Sequence, residues 1–163
     1  MPEKTPAQSA ATTVERESDR ALVVRRTFAA PARHVFEAWR DPDAFISWWV
    51  PKAFASALLS HRLDVREGGS YRLEFRNPES GEPMAFFGTY KEVIPNERIV
   101  WTNEESDDGA LTTVTFVERD GKTLVTYRER YPSSEALEDA LAGSAEGLPG
   151  QFSQLDDFLS GRA

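Results

Sequence analysis

The period of the apolar positions changes along the chain, and the changes mark its elements. Residues 21–28 are apolar and β-branched at Leu22, Val23, Val24, Thr27 and Phe28, which predicts a first strand. Pro31 then opens a helix, because its fixed φ suits a first helical turn. Val35 and Trp39 stand at i and i+4, with Phe36 beside them, as one buried helical face requires. Asp41-Pro42 ends that helix, and Asp41 is placed to cap a second short one with Pro42 at its first position. From residue 57 the period falls to two. Leu59, His61, Leu63 and Val65 alternate with polar residues, and Tyr71, Leu73 and Phe75 alternate with Arg72, Glu74 and Arg76. Further strands are predicted over 84–94, 98–102, 112–117 and 124–131, divided by turns at Gly68-Gly69, 77–82, Pro95-Asn96-Glu97 and Asp120-Gly121. The Asp-Gly pair is the strongest hairpin signal among them.

The helical period returns at the carboxy end. Leu141, Ala145, Leu148, Phe152, Leu155 and Leu159 are spaced 4, 3, 4, 3 and 4, one apolar stripe along a helix. Pro149 and Gly150 interrupt the stripe, so the regular helix either begins there or bends there. The order is strand, two short helices, six strands and a long helix. This is an α+β pattern: a strongly curved antiparallel sheet of about seven strands wrapped on a long C-terminal helix. A sheet so curved and a single helix do not close tightly, and the gap between them is the natural place for an apolar pocket.

Residues 1–19, rich in Ala, Thr, Ser, Glu and Pro without apolar period, read as a disordered N-terminal tail before a single domain over 20–160. A length of 163 residues agrees with one domain. The net charge of −8 argues against nucleic acid as a partner, since phosphate binding needs a basic face. No apolar run reaches the ~20 residues of a membrane span, and residues 1–18 have no apolar signal core. A cytoplasmic location is the expectation.

With no cysteine, the chain has no disulfide framework, thiol nucleophile or cysteine metal site. Its two histidines, His34 and His61, are not at metal-ligand spacing, so neither a metal nor a cofactor is expected. There is no phosphate-binding glycine loop, and Glu92, Glu104 and Glu105 have no evident partner that would mark one as an acid catalyst. No clear catalytic machinery follows. His34, between Arg33 and Glu37, is expected on the surface, and His61 lies mid-strand, where it reads first as a satisfied strand histidine.

The most distinctive stretch is Ala-Phe-Ile-Ser-Trp-Trp-Val-Pro at 44–51, which holds two of the four tryptophans. Indoles bury more surface than a loop needs, so Trp48 and Trp49 either plug one end of the core or roof a ligand cavity. The cavity candidates are Trp48, Trp49, Pro51 and Phe54 from this corner, then Tyr71, Leu73 and Phe75 from one strand face. Phe87, Trp101, Phe116 and Tyr127 join them from other strands, and Phe152 and Leu155 from the last helix. Tyr71, Tyr127 and His61 are the polar groups available to orient a ligand. Phe86 and Phe87 are adjacent and face oppositely, so one of them belongs to an outer apolar patch that would suit a homodimer or partner surface. Asp64 and Arg66 are placed to pair, and Arg98 to bond nearby carbonyls or Glu92.

Several motifs in this order resemble the helix-grip superfamily, also called START-like or SRPBCC. They are closest to its branch related to the activator of the heat-shock-protein-90 ATPase (AHSA-like). The matching stretches are Arg26-Thr-Phe-Ala-Ala-Pro31 with Val35-Phe36-Glu-Ala-Trp39, Asp41-Pro42, Trp48-Trp49-Val50-Pro51-Lys52, and Leu63-Asp64-Val65-Arg66-Glu67-Gly68-Gly69. Gly88-Thr-Tyr90-Lys-Glu92-Val93-Ile-Pro95-Asn-Glu97-Arg98-Ile99-Val100, Thr112-Thr-Val-Thr-Phe116 and Glu146-Gly147 complete the series, over about residues 20–160. Leu148-Pro149-Gly150 departs from the family, which commonly carries an aromatic and good helix formers there. The resemblance implies the helix-grip fold and a small hydrophobic or amphipathic ligand, lipids included. It leaves open a polyketide cyclase or aromatase-like enzyme, with His61 or Tyr127 moving the proton, and a regulator that contacts a chaperone.

Overall fold

The computed structural model describes residues 12–105, 109–142 and 147–161. Eight strands form one antiparallel sheet in the order β1-β2-β8-β7-β6-β5-β4-β3. They are β1 (Thr13–Arg16), β2 (Ala21–Phe28), β3 (Leu58–Leu63), β4 (Ser70–Arg76), β5 (Pro83–Ile94), β6 (Arg98–Thr102), β7 (Leu111–Arg119) and β8 (Lys122–Arg130). Between β2 and β3 lie α1 (Ala32–Arg40), α2 (Pro42–Trp49) and a 3₁₀ turn (Lys52–Ala57). After β8 come α3 (Ser134–Ala142) and α4 (Leu148–Leu159).

The local signals set these boundaries. Pro31 is the N-cap residue of α1, and the Asp41 carboxylate accepts from the Ala44 amide at 3.1 Å to cap α2, with Pro42 in its first turn. Asp120 and Gly121 join β7 to β8 with φ of 57° and 78°, both left-handed, the pair of angles a tight two-residue hairpin needs. Strand β5 gives the sheet its bend. Its first part, through Thr89, pairs with β4, and from Tyr90 onward it pairs with β6, with a register shift between Tyr90 and Glu92. Helix α4 packs against α1, α2 and β2.

One expectation needs correction and two are sharpened. Thr13–Arg16 is a strand paired with β2, Thr13 opposite Arg25 and Arg16 opposite Leu22, although it falls within the segment expected to be a disordered tail. All four of its residues are exposed, so backbone pairing along an edge holds it, and composition carries no trace of that. This makes the sheet eight-stranded, where about seven strands are expected. The apolar stripe is divided between α3 and α4. Leu141 belongs to α3, while α4 begins at Leu148 with Pro149 in its first turn, where proline is tolerated. Ala145 and Glu146 lie outside the described residues.

The core occupies the concave side of the sheet. Phe152 of α4 sits edge-on to Phe28 at 6.0 Å and to Tyr127 at 6.0 Å, joining the helix to β2 and β8. Trp39, 2% exposed, lies at the centre of the aromatic cluster, 4.7 Å from Trp48 and 6.0 Å from Trp101. Among the described residues, no helix is long and apolar enough to cross a membrane.

Candidate ligand cavity

The two adjacent indoles have different surroundings. Trp48 is fully buried, and its Nε1 donates to the Ala38 carbonyl at 2.9 Å, which ties α2 to α1. Trp49 is half-buried and stacks on Phe45 at 5.0 Å. Helix α4 holds the backbone of this corner through two glutamines. Gln154 Nε2 donates to the carbonyls of Trp48 (2.8 Å) and Val50 (2.9 Å), and its Oε1 accepts from the Lys52 amide at 3.1 Å. Gln151 Nε2 donates to the Trp49 carbonyl at 2.6 Å. The last turn of α2 and the bend into Pro51 leave carbonyls unpaired, and these side-chain amides satisfy them.

Below this corner lies a cavity of ≈ 510 Å³ between the sheet, α2 and the start of α4. Its walls are mostly apolar. Of the expected candidates, Trp49, Pro51, Phe54, Tyr71, Leu73, Phe75, Trp101 and Tyr127 line it. Phe54, Met84 and Phe86, each at least 39% exposed, mark its mouth.

Six candidates fall elsewhere. Trp48, Phe116, Phe152 and Leu155 are packed in the core and do not reach the cavity. Phe87 lies on the convex face, with the Arg72 guanidinium 5.4 Å from its ring centroid, and its neighbour Phe86 lines the cavity. His61 sits opposite Leu73 on the edge strand β3, and its Nε2 lies 3.4 Å from Oδ1 of Asp43 on α2. An edge position paired with a helix side chain leaves it outside the lining. On the outer surface, Arg66 bonds Asp64 and Arg98 bonds Glu92, each at 2.8 Å, as the spacing suggests.

Reading for aromatics alone misses the polar end of the cavity. Glu129, Asn103 and Glu105 line it together with Tyr71 and Tyr127. Glu129 accepts from the Tyr127 hydroxyl at 2.8 Å, the Tyr131 hydroxyl at 2.6 Å and the fully buried Thr112 hydroxyl at 3.5 Å. Asn103 Nδ2 in turn donates to Thr112 Oγ1 at 3.0 Å and to the Ala110 carbonyl at 2.7 Å. The Tyr71 hydroxyl donates to the Thr102 carbonyl at 2.8 Å and lies 3.2 Å from Asn103 Oδ1. This geometry needs Gly88. A Cβ there would stand 1.9 Å from the Thr102 carbonyl oxygen and 2.8 Å from the Tyr71 ring.

Burial raises the Glu129 pKa above the ordinary carboxylate range, and the three hydroxyls pull it partly back. Glu129 is half-buried and lines the cavity. Desolvation also pushes the Tyr71, Tyr90, Tyr127 and Tyr131 phenols up, which keeps them neutral hydrogen-bond donors at any ordinary pH. A sequence signal for Glu129 exists. It alternates in phase with the inward residues Val125 and Tyr127, so period two places a carboxylate on the buried face. Among the described residues, no group of three or more His, Cys, Asp or Glu could hold a metal ion.

Solved structures share this architecture. A protein from Mycobacterium smegmatis is 27% identical, with a TM-score of 0.75 over 91% of this chain and 96% of that one. A protein from Nitrosomonas europaea is 21% identical, with a TM-score of 0.77 over 90% and 97%. One from Rhodobacter sphaeroides is 22% identical, with a TM-score of 0.77 over 93% and 99%. The last two, by their low identity, speak to the fold alone. No curated protein sequence matches the chain well enough to count as a relative. The family model described as "Activator of Hsp90 ATPase homolog 1-like protein" matches residues 29–160, and with the helix-grip architecture in place the chain belongs to that family.

Proposed function

We propose that the protein binds a small amphipathic molecule in the cavity between the curved sheet and α4, without transforming it. The observation that carries this reading is the ≈ 510 Å³ cavity itself, with an aromatic wall, a mouth at Phe54, Met84 and Phe86, and one polar end. Such an arrangement takes up the apolar body of a ligand and fixes its direction through few polar contacts. Native mass spectrometry of the purified protein tests it directly, since a carried compound adds its mass to the folded chain. Titration with lipids and aromatic compounds, followed by tryptophan fluorescence and melting temperature, is the second test. A broad panel that changes neither signal sinks the proposal.

One observation favours a second reading. A cyclase or aromatase needs an ionisable group inside its cavity, and Glu129 is such a group. Glu129 would remove a proton from an activated methylene of a poly-β-ketone, and the carbanion would add to a carbonyl carbon. The Glu129 carboxyl would return its proton to the alkoxide so formed, and that hydroxyl would leave with a proton from the neighbouring ring carbon as water. Formation of an aromatic product from a linear poly-β-ketone, lost in Glu129→Gln, would establish it. A third reading comes from the family's own description and assigns a chaperone contact. A pull-down with a heat-shock-protein-90 chaperone, read together with its ATPase rate, tests that one.

A further inference from the structure

We propose that the ligand carries a protonated amine, held by the Glu129 carboxylate at the polar end of the cavity. This rests on the binding reading above and narrows it to one ligand chemistry.

Three hydroxyl groups converge on this one carboxyl, and a hydroxyl that donates to a carboxylate leaves it nothing to donate to in return. The arrangement therefore fits the ionised form. An ionised carboxylate has about four lone-pair sites, so one stays open on a residue that lines the cavity. Among the described residues no lysine, arginine or histidine pairs with Glu129, and burial and the three hydroxyls are the influences that act on it. A half-buried carboxylate held only by neutral donors lacks the counter-charge that normally offsets its desolvation. A ligand that brings a cationic donor supplies both the missing charge and the missing hydrogen bond.

The surrounding walls point the same way. Trp49, Trp101 and Tyr127 pack with centroids 6.1 to 6.4 Å apart and present ring surface to the cavity. Aromatic faces attract ammonium groups and are indifferent or unfavourable to anions. Glu105 adds a second carboxylate to the lining. Arg76 is the basic side chain there, and its Nη1 is engaged with the Gly81 carbonyl at 2.8 Å near the mouth. A fatty acid would bring its carboxylate against Glu129 and Glu105, so the charge pattern selects against that class and for an amine of similar body.

Dodecylamine, dodecanol and dodecanoate form a matched test set, titrated below their aggregation concentrations at neutral pH and followed by tryptophan fluorescence. The expected result is dodecylamine binding at least ~10-fold more tightly than dodecanol, with dodecanoate weakest, an order that persists in 0.5 M salt because a buried pair is screened less than a surface one. In Glu129→Gln the advantage of the amine over the alcohol should shrink to within about 3-fold, with dodecanol affinity kept, a difference that reports the lost charge pair. Dodecanol or dodecanoate binding as tightly as the amine overturns the amine assignment and leaves the cavity reading standing. An amine preference unchanged in Glu129→Gln, or abolished by salt in the parent protein, also overturns it, since either means attraction to the acidic surface. Failure of all three compounds to bind removes the cavity reading and this inference together. Should Glu129→Gln not fold, the salt series on the parent protein decides the matter.

Discussion

The Tyr131 hydroxyl donates to Oε1 of Glu129 across 2.6 Å, from two positions further along the chain. The other carboxylate oxygen takes the Tyr127 hydroxyl at 2.8 Å, from two positions before. Both bonds follow from period two, because residues 127, 129 and 131 leave the chain on one side. Two phenols thus hold a carboxylate at the edge of an apolar cavity, and the protein's electrostatics follow from that arrangement.

Stability should depend on pH through Glu129. Its folded-state pKa is raised, so between the ordinary carboxylate value and the raised value the folded chain binds more protons than the unfolded one. By linkage this contribution falls as pH rises through that window and stays low above it. Glu129→Gln cannot ionise and escapes the loss. Relative to the parent, the variant should therefore be more stable at pH 8 than at pH 5, measured by urea denaturation at both. A difference that is the same at the two pH values would contradict the raised pKa.

The two adjacent indoles should separate in experiment. Trp48→Phe removes the bond to the Ala38 carbonyl and opens space in the core, at a cost of about 2–4 kcal/mol. Trp49→Phe shortens a cavity wall and should cost about 1 kcal/mol or less, the scale of a surface-side change. The ligand-induced fluorescence change should be weakened in Trp49→Phe and retained in Trp48→Phe. Equal stability losses would place both indoles in the same environment.

Gln154 bridges α4 to the Trp48–Lys52 backbone through three hydrogen bonds. Replacement by Ala leaves two carbonyls and one amide without that partner, and at roughly 1 kcal/mol for each bond the loss should be about 2–3 kcal/mol. Chemical denaturation measures it. A Gln154→Glu substitution is a sharper check, because a carboxylate accepts from Lys52 N but cannot donate to either carbonyl. It should recover little of the loss.

Gly88→Ala should be among the most damaging single substitutions. The added Cβ meets a backbone oxygen at 1.9 Å, which no side-chain rotation relieves. Separation of β5 from β6 or displacement of Tyr71 must follow, at a cost of roughly 3 kcal/mol or more. A melting temperature within a degree of the parent's would show that the strand shifts freely.

Several features were legible in the residue pattern for plain reasons. The Asp41 cap, the Asp120-Gly121 hairpin and the alternation of Tyr71, Leu73 and Phe75 are short-range effects, governed by φ preferences and by a period of two. Recognition of the family rests on the same local motifs in their order, and the match over residues 29–160 agrees with it. Thr13–Arg16 escaped because its strand has no buried face of its own and depends on a partner. Phe87 and Phe86 were known to face oppositely, but nothing local says which of them faces inward.

The amino-acid sequence by itself determined the elements from Ala21 to Arg130, their order and the supply of large aromatic side chains, since these depend on neighbours a few residues apart. The tertiary structure alone decided that Trp48 belongs to the core while Trp49 lines the cavity, that His61 pairs with Asp43 at the sheet edge, and that Thr112, Tyr127 and Tyr131 meet on Glu129. Those outcomes depend on strand register and on how far the sheet bends around α4. Both are set by contacts between residues distant in the chain, where a shift of one position reverses every side chain.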